Sequence, residues 1–353
     1  MNKKQDQKIS QSQNIIARFP QTRFMGSKRK LLAFIANTVK DIKYDTVLDA
    51  FSGSGSVSYL FKSLGKEVTS NDFLAYSYNI AKATVENNTE KLSEADLVSL
   101  LKKNTKAKKF IQETFNGLYF TPEDNEFLDN VSANISLLKN GHKKALALAS
   151  LGRAALKKQP RGVFTVIGNR YDDGRLDLRL SMREQFIKSV NDFNDSIFDN
   201  NRSNKALKGD VFNISTDDFD LIYFDPPYYS QRSDNDYIRR YHFIEGLATY
   251  WKNNKIIADS KTKRIEKRET PFSSRVRCYE AFDQLFSKFQ KGIFLVSYSS
   301  NSLPTKEEMV KIMKKHRSNI KVFEHDHKYS FGNQSHRVGS NRNCVKEYLF
   351  LGY

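Results

Sequence analysis

The sequence has little of three things: cysteine, acidic residues and long apolar runs. Its two cysteines, Cys278 and Cys344, form no CxxC pair, so the sequence predicts neither a zinc site nor a redox motif. This cysteine usage fits a reduced, cytosolic compartment. No run approaches the roughly 18 apolar residues that a membrane helix requires, and the polar start has no apolar signal-peptide region. We therefore expect a soluble cytoplasmic protein that binds no metal and no membrane.

Acidic residues are outnumbered by basic ones. Asp and Glu total 40 against 58 Lys and Arg, which gives a formal net charge of +18 over 353 residues. Such an excess attracts polyanions and suits a protein that neutralises phosphates. A lysine-rich, solvated surface would give the same count, so charge alone leaves nucleic-acid binding open. The hydrophobic share of 39% is enough for a core, and the length suits a main domain with a large insertion.

Two stretches of the chain alternate short apolar runs with helical periodicity, as in a doubly wound α/β sheet. The predicted strands are 46–51, 67–70, 219–224, 292–297, 320–323 and 345–350, of which the last two could pair as an antiparallel hairpin. The predicted helices are 27–41, 56–64, 73–87 and 305–316. The sequence therefore predicts an α/β protein.

Between the two stretches this alternation stops. Residues 88–204 are helix-rich and basic, so we interpret them as an inserted domain. Residues 15–87 and 205–353 then form the main domain. Residues 1–14, rich in Lys, Gln and Asn, are expected to be a disordered tail.

The first predicted strand leads into a glycine-rich loop. The segment 49–55, DAFSGSG, lies where a strand turns into a helix, and its glycines let a ligand approach the backbone. The dinucleotide fingerprint lacks its third glycine because Ser58 stands there, which disfavours NAD. A ligand without a pyrophosphate, whose ammonium group meets Asp49, fits better. A plain structural turn is the alternative.

Three further features could complete a nucleoside site. Asp72 ends the second strand about twenty residues after the glycine loop begins, where a carboxylate can bind ribose hydroxyls. The alternative is a helix N-cap. In the segment 209–212, Asp210 could meet an adenine amino group and Phe212 its ring, or the segment could be a turn before a core aromatic. The segment 24–30, FMGSKRK, is either a second wall of the same site or a solvated helix start.

The most specific motif is the tetrapeptide 225–228, Asp-Pro-Pro-Tyr, directly after an apolar strand. Pro226 and Pro227 make a rigid turn at the carboxyl edge of the sheet, where α/β proteins bind ligands. An exocyclic base amine is a poor nucleophile because its lone pair is delocalised. Asp225 and a backbone carbonyl can accept its two N–H groups and bring the nitrogen nearer tetrahedral geometry, while Tyr228 stacks on an extruded base. This pattern predicts methyl transfer to a base amino group, with an ordinary Pro-Pro turn as the alternative.

The segment that follows is basic and contains aromatic residues. Cations in 230–277 alternate with Tyr229, Tyr237 and Tyr241, and could grip the phosphates around an extruded nucleotide while the insertion reads sequence. The alternative is a mobile, solvated loop, because 260–270 has little apolar content. The candidate DNA contacts are Arg161, Arg175, Arg232, Lys261, Lys263 and Arg264.

In this order and combination, the motifs resemble the D12 class of DNA adenine N6-methyltransferases, the Dam-like α group found in type II restriction–modification systems. The resemblance spans roughly 19–353, includes the ending 346–350, KEYLF, and leaves the insertion unmatched in detail. It implies a class I, Rossmann-like methyltransferase sheet with the insertion as the target-recognition domain. It also implies S-adenosylmethionine as the cofactor, double-stranded DNA as the substrate and, in a restriction–modification system, a separate cognate endonuclease as partner.

The resemblance also assigns roles to individual residues. Residues 225–228 match the catalytic motif, and 49–55 match the cofactor loop. The expected cofactor contacts are Phe24, Gly26, Lys28, Asp49, Phe51, Gly53, Gly55, Asp72, Asp210, Phe212 and Asp225. The first motif departs from the family pattern, which often carries Trp and Gly-Gly before the lysine.

Other activities stay open from the sequence alone. N4-cytosine enzymes more often carry Ser where Asp225 stands, and glutamine methyltransferases of proteins use Asn-Pro-Pro-Tyr, so this residue favours adenine. RNA fits the charge as well as DNA does. A catalytically inactive DNA-binding relative would keep the fold, but the intact tetrapeptide argues against it.

Overall fold

The computed structural model describes residues 12–159, 162–165, 176–215, 219–229, 237–328 and 344–353. Within these ranges seven strands form one sheet in the order β3-β2-β1-β4-β5-β7-β6. The strands are β1 (Thr46–Asp49), β2 (Glu67–Asp72), β3 (Lys205–Lys208), β4 (Leu221–Phe224), β5 (Ile293–Ser299), β6 (Ile320–Lys328) and β7 (Cys344–Gly352). β1 to β5 pair in parallel, whereas β7 runs antiparallel to both β5 and β6. The predicted α/β class and the closing antiparallel pair are confirmed.

The centre of the sheet is apolar on both faces. All four residues of β4 are buried, as expected for a parallel strand with helices on either side. β1 lies between β2 and β4, so the strand order reverses beside it, and this is where open α/β sheets bind ligands. Asp49 and Asp72 end β1 and β2, and Asp225 follows β4, so three carboxylates meet at one sheet edge.

Helices cover the sheet and fill the middle of the sequence. They are α1 (Leu32–Val39), α2 (Ser56–Ser63), α3 (Ala75–Ala81), α4 (Glu94–Leu101), α5 (Phe110–Thr114), α6 (Pro122–Ser136), α7 (Gly141–Lys157), α8 (Leu176–Arg179), α9 (Met182–Asp195), α10 (Tyr237–Thr249), α11 (Arg277–Lys288) and α12 (Lys306–Met313). A 3-10 turn, Lys28–Leu31, leads into α1, and a π-helical turn, Lys82–Glu86, extends α3. The four predicted helices therefore form close to their expected bounds.

The region between β2 and β3 has its own hydrophobic core. Helices α4, α5, α6, α7 and α9 contribute residues to it, and the same core includes residues of α3 and α10. Gly152 of α7 allows this close packing, because a Cβ there would lie 2.4 Å from the Tyr76 ring of α3. Since α10 lies beyond residue 204, the core extends past the predicted insertion, whose bounds stay a prediction.

The amino-terminal end of the described chain is helical at residues 12–17. The buried Ser12 hydroxyl lies 2.8 Å from that of Ser63 at the end of α2. Residues 12–14 therefore belong to this helix rather than to the predicted tail, and residues 1–11 lie outside the described residues. Among the helices of the described ranges, none has the length and apolar character needed to cross a membrane.

Candidate functional site

A cavity of about 350 Å³ opens at the sheet edge where β1, β2 and β4 end. Its lining includes residues from 24–28, 49–57, 71–74, 208–212 and 268–272, together with Tyr223, Asp225, Pro227 and Tyr237. All expected cofactor contacts except Gly55 belong to this lining. Segments far apart in the sequence thus meet around one volume, as the strand-end motifs predicted.

The glycine loop is shaped by two residues with positive φ. Gly53 has a φ of 49°, and a Cβ there would lie 3.3 Å from the Phe24 ring. Gly55 has a φ of 76° and precedes α2, with Ile80 close behind it. Gly55 therefore turns the chain into the helix. The space that a side chain would fill at this position is next to Ile80 in the core and not in the cavity.

Asp72 joins the ends of two strands. Its carboxylate accepts hydrogen bonds from the Gly53 N–H at 2.8 Å and from the Leu74 N–H at 2.9 Å. The first N–H groups of α3 instead donate to Glu245 of α10, at 3.0 Å from Ala75 and 3.1 Å from Tyr76. Glu245 therefore caps α3, which argues against the cap alternative for Asp72. Burial raises the pKa of Asp72 to about 6.

Asp49 lies fully buried behind the loop. It accepts a hydrogen bond of 2.5 Å from the Ser58 hydroxyl on Oδ2, while Oδ1 has no hydrogen-bond partner among the described residues. A third fingerprint glycine in place of Ser58 would remove that bond. Burial raises the pKa of Asp49 to about 7, against the lowering effect of Ser58. A cation at Oδ1 would stabilise the ionised form.

The partly buried Asp225 forms an ion pair with the buried Lys28. The Lys28 ammonium lies 3.0 Å from Asp225 Oδ1 and 3.7 Å from Glu347 Oε2. Burial opposes the charge of Lys28, but Asp225 and Glu347 outweigh it, so the pKa of Lys28 lies well above its ordinary value. Burial raises the pKa of Asp225 to about 6, with Lys28 acting in the opposite direction. Lys28 therefore links the cavity to the tetrapeptide.

Glu347 had no predicted role, although it stands in the segment 346–350. It is 1% exposed in β7, opposite Ser299 of β5. The sequence did offer a signal for this residue, namely an acidic side chain within an apolar strand-like segment. Such a side chain requires a charged or polar partner if the strand is buried.

Tyr228 lies half-buried beside β5. Its ring meets that of Tyr298 edge-on, with centroids 5.4 Å apart. The next residue, Tyr229, accepts a backbone hydrogen bond of 3.1 Å from Leu303, and the Tyr298 hydroxyl donates to the Leu303 carbonyl. Pro226 is buried, whereas Pro227 lines the cavity. These contacts hold the tetrapeptide in one orientation at the cavity.

Two groups of aromatic rings contribute to the cavity lining. Phe24 stacks on Tyr241 at 4.9 Å and on Tyr237 at 5.8 Å. Tyr241 is 1% exposed and its hydroxyl accepts the Met25 N–H, so this aromatic residue of the basic segment packs in the protein interior. Tyr237 lines the cavity, and a Cβ on Gly26 would lie 2.9 Å from its hydroxyl.

In the second aromatic group of the lining, Phe212 stacks on Phe272 with ring centroids 5.9 Å apart. Asp210 accepts the Phe212 N–H at 3.0 Å, so the predicted turn forms and both side chains still line the cavity. Phe272 and the neighbouring Arg268 were not predicted as site residues.

The basic candidates divide into two groups. Arg161, Arg175 and Arg232 lie outside the described residues. The others, Lys261, Lys263 and Arg264, lie in a loop, 255–266, which we call the basic hairpin.

Two contacts anchor the basic hairpin. Its arms pair through Ile256 and Ile265, and Ile265 is buried in the helical core. The Tyr119 hydroxyl donates a 2.7 Å hydrogen bond to the Thr262 carbonyl. These contacts argue against a free, mobile loop. Lys261 and Arg264 are exposed, and their contact with DNA stays a prediction.

Comparison with known proteins is consistent with this geometry. The family model for D12 class N6 adenine-specific DNA methyltransferases matches residues 24–312. The type II methyltransferase M2.HphI of Haemophilus parahaemolyticus is 27% identical over 349 residues, which cover 95% of this chain and 98% of that protein. M.CviAII of Paramecium bursaria Chlorella virus 1, another type II methyltransferase, is 25% identical over 94% of this chain and 98% of its own length. The type II methyltransferase M.FokI of Planomicrobium okeanokoites is 26% identical over 83% of this chain but only 47% of its own length.

Proposed function

The chain belongs to the D12 class N6 adenine-specific DNA methyltransferases, and on that premise we propose that its cavity binds S-adenosylmethionine beside a catalytic tetrapeptide, 225–228. The observation that carries the proposal is the meeting of Asp49, Asp72 and Asp225 around one volume at the sheet edge. The named relatives are type II methyltransferases, so we further propose a role in a restriction–modification system with a separate endonuclease.

The cavity lining fits the chemical groups of S-adenosylmethionine. Three residues of the lining, Asp49, Ser52 and Asn71, each carry a buried side-chain oxygen that has no hydrogen-bond partner among the described residues, and buried polar atoms require one. Both Asp72 oxygens already accept one backbone N–H, but a carboxylate oxygen accepts two bonds. Asp72 can therefore still bind ribose hydroxyls.

These observations support a division of the binding roles. Asp49 would hold the ammonium group, Asp72 the ribose, Asp210 the adenine amino group and Phe212 the adenine ring. Of the remaining expected contacts, Phe24, Gly26, Lys28, Phe51 and Gly53 line the cavity, and Gly55 turns the chain into α2 behind it. When bound, S-adenosylmethionine supplies an electrophilic methyl group on its sulfonium.

Asp225 prepares the amino nitrogen of the target adenine. Its carboxylate accepts one N–H while a backbone carbonyl of the tetrapeptide accepts the other, so the lone pair leaves conjugation with the ring. A proton must leave the nitrogen on methylation. Asp225, which Lys28 keeps ionised, is the acceptor already hydrogen-bonded to it.

The adenine must leave the duplex to reach this site, because its amino group is inaccessible within the stack. Tyr228 would stack on the extruded base. Residues 88–204 would serve as the target-recognition domain, with Arg161 and Arg175 among its contacts. The basic hairpin and Arg232 would hold the phosphates near the base.

The test is methyl transfer itself. The purified protein is incubated with S-adenosylmethionine labelled on its methyl group and with duplex DNA of mixed sequence, and the DNA is digested to nucleosides. We expect label in N6-methyladenine at one sequence context, which sequencing of the product identifies. Label in N4-methylcytosine, or transfer to RNA in preference to DNA, would overturn the proposal.

A further inference from the structure

A lysine-rich loop joins α4 to α5. We call residues 102–109 the lysine loop; its lysines are Lys102, Lys103, Lys106, Lys108 and Lys109. All five are exposed, and none forms an ion pair within the described part of the chain. Other lysines of this half are paired, with Lys82 at 2.7 Å from Glu86 and Lys143 at 2.8 Å from Asp96. The loop thus concentrates uncompensated positive charge.

Asparagine side chains of α6 hold the backbone of this loop. The Asn104 N–H donates to Asn130 at 2.6 Å, and the Asn104 side chain donates to Asn134 at 2.9 Å. The Asn134 amide in turn donates to the Lys102 carbonyl at 2.8 Å. A solvated run of lysines requires no such support. The loop is therefore pre-organised, which lowers the entropic cost of binding a partner through its side chains.

The far end of the loop is tied to the helix that begins at the cavity. The Tyr250 hydroxyl donates to the Asp129 carboxylate at 2.7 Å and to the Lys108 carbonyl at 3.2 Å. Tyr250 directly follows α10, whose first residue, Tyr237, lines the cavity. At 1.5 Å per residue, the 13 residues of α10 span about 20 Å, and this length sets the approximate separation between the cavity and this end of the lysine loop.

Further cations lie on the return path of the chain. From Tyr250 it passes through the basic hairpin to Arg268 in the cavity lining. Positive charge therefore occurs at the cavity, along the return path and at the lysine loop. A rod of regularly spaced phosphates suits this arrangement better than a compact anion does.

We propose that the lysine loop contacts the phosphates of duplex DNA about six base pairs from the methylated adenine, since 20 Å corresponds to about six steps of 3.4 Å. The inference rests on duplex DNA being the substrate in the proposed function. Lysine is a flexible point charge without the planar fork that reads guanine, so these contacts add affinity and register without reading sequence.

The first test neutralises three loop lysines together, Lys103→Gln, Lys106→Gln and Lys108→Gln. Their backbone groups remain, so the asparagine and Tyr250 contacts can still form. Affinity for duplex DNA is titrated across salt concentrations by fluorescence anisotropy. We expect the slope of log K against log salt to become shallower by about 0.9 for each phosphate that is no longer neutralised, for cognate and unrelated duplexes alike. An unchanged slope would overturn the proposal.

A matched control removes the same charge elsewhere. Lys311, Lys314 and Lys321 are exposed and lie at the end of α12 and on β6. Nearby Arg317 binds the Gly292 carbonyl just before β5 begins, at the sheet edge opposite the cavity. Changing all three to Gln should leave the salt slope unchanged. An equal change of the salt slope in both triple variants would mean that net charge alone explains the result, and it would overturn the proposal.

A second test measures where the contact falls. Duplexes centred on the target adenine are shortened one base pair at a time from either side. The affinity difference between the unmodified protein and the loop variant should vanish once one side is shorter than about six base pairs. A difference that persists on duplexes short on both sides would overturn the spacing. These measurements record DNA binding and require no methyl transfer. A negative result would therefore count against the lysine loop and not against the roles proposed for 225–228.

Discussion

The cavity and the lysine loop use charge in opposite ways. Around the cavity, Asp49, Lys28 and Glu347 are buried, and each has a named partner. In the lysine loop the cations are exposed and lack ion-pair partners among the described residues. Buried charges are costly without partners, so each one constrains its neighbours, whereas exposed lysines need only a polyanion nearby. The difference agrees with the two proposals, in which the cavity orients the reactants and the lysine loop binds phosphates of the DNA backbone.

Replacing Asp225 by Ala should have the largest effect and would show whether orientation in the cavity governs the chemistry. We expect methyl transfer to fall by roughly 10²–10⁴-fold or more, because the acceptor of the amino proton is removed. Lys28 keeps Glu347 as a buried partner, so the protein should still fold. Initial rates with labelled cofactor and thermal unfolding measure both effects. Near-normal turnover would contradict the role of Asp225.

Replacing Asp72 by Ala should weaken cofactor binding. Removal of a charge-assisted hydrogen bond suggests about 1.5–3 kcal/mol in the free energy of binding S-adenosylmethionine, with little change in DNA affinity. Calorimetry of both ligands separates the effects. Glu245→Gln is the matched control, because it weakens the cap of α3 without removing a cavity residue. If Asp72→Ala leaves cofactor affinity unchanged, Asp72 only joins the loop to β2.

Replacing Tyr228 by Ala removes an aromatic ring but no charge. It therefore tests how much stacking on the target base contributes, separately from the charged groups of the cavity. We expect transfer to weaken by about 1–3 kcal/mol in activation free energy, the range for stacking on an extruded base. Tyr228→Phe keeps the ring and should be tolerated much better. Steady-state rates on cognate duplex compare the two variants. Equal reductions in both would assign the effect to the hydroxyl instead.

The same comparison explains what could be predicted from the sequence. The cavity was predictable because its motifs are short, contiguous and placed at strand ends, so parallel pairing alone brings Asp49, Asp72 and Asp225 together. Alternation of strands and helices also predicted the sheet and its antiparallel end. The helical region offered no such motif, only composition.

Residues that act through long-range contacts were missed. Glu245 caps a helix 170 residues earlier in the chain, and no local pattern marks it. Tyr241 resembled part of a basic, aromatic DNA-binding segment, but helical periodicity places it against Phe24 in the core. Such roles depend on which elements pack against each buried helix face. The periodicity of one sequence can predict that a face is buried, but it does not specify what packs against it.

Cofactor affinity should depend on pH through Asp49. An ammonium group binds the carboxylate, so affinity should fall as pH drops through the pKa of about 7, by at most tenfold per unit. The amino group of the cofactor itself loses its proton at about pH 7.7–8.0. Asp72 and Asp225, each with a pKa raised to about 6, also face this region, so the range from about pH 7.5 to about 6.5 is the informative one. Asp49→Asn should bind weakly and without this slope. A wild-type profile that is flat across this range would contradict the assignment.

Neutralising the basic hairpin should have the smallest effect on DNA affinity. It would test whether the phosphate contacts of the protein continue from the lysine loop toward the cavity. Replacing Lys261, Lys263 and Arg264 by Gln should weaken binding to cognate and unrelated duplexes alike, with a slope shallower by about 0.9 for each phosphate that the variant no longer neutralises. Tyr119→Phe is the matched variant, because it removes the hydrogen bond that anchors the hairpin at Thr262 and keeps every charge. Salt titrations on both duplexes separate three cases. A shallower slope in the Gln variant alone assigns the effect to charge, and one in both variants assigns part of it to anchoring. An unchanged slope in the Gln variant would mean that the hairpin does not touch DNA and that the lysine loop grips the duplex without it.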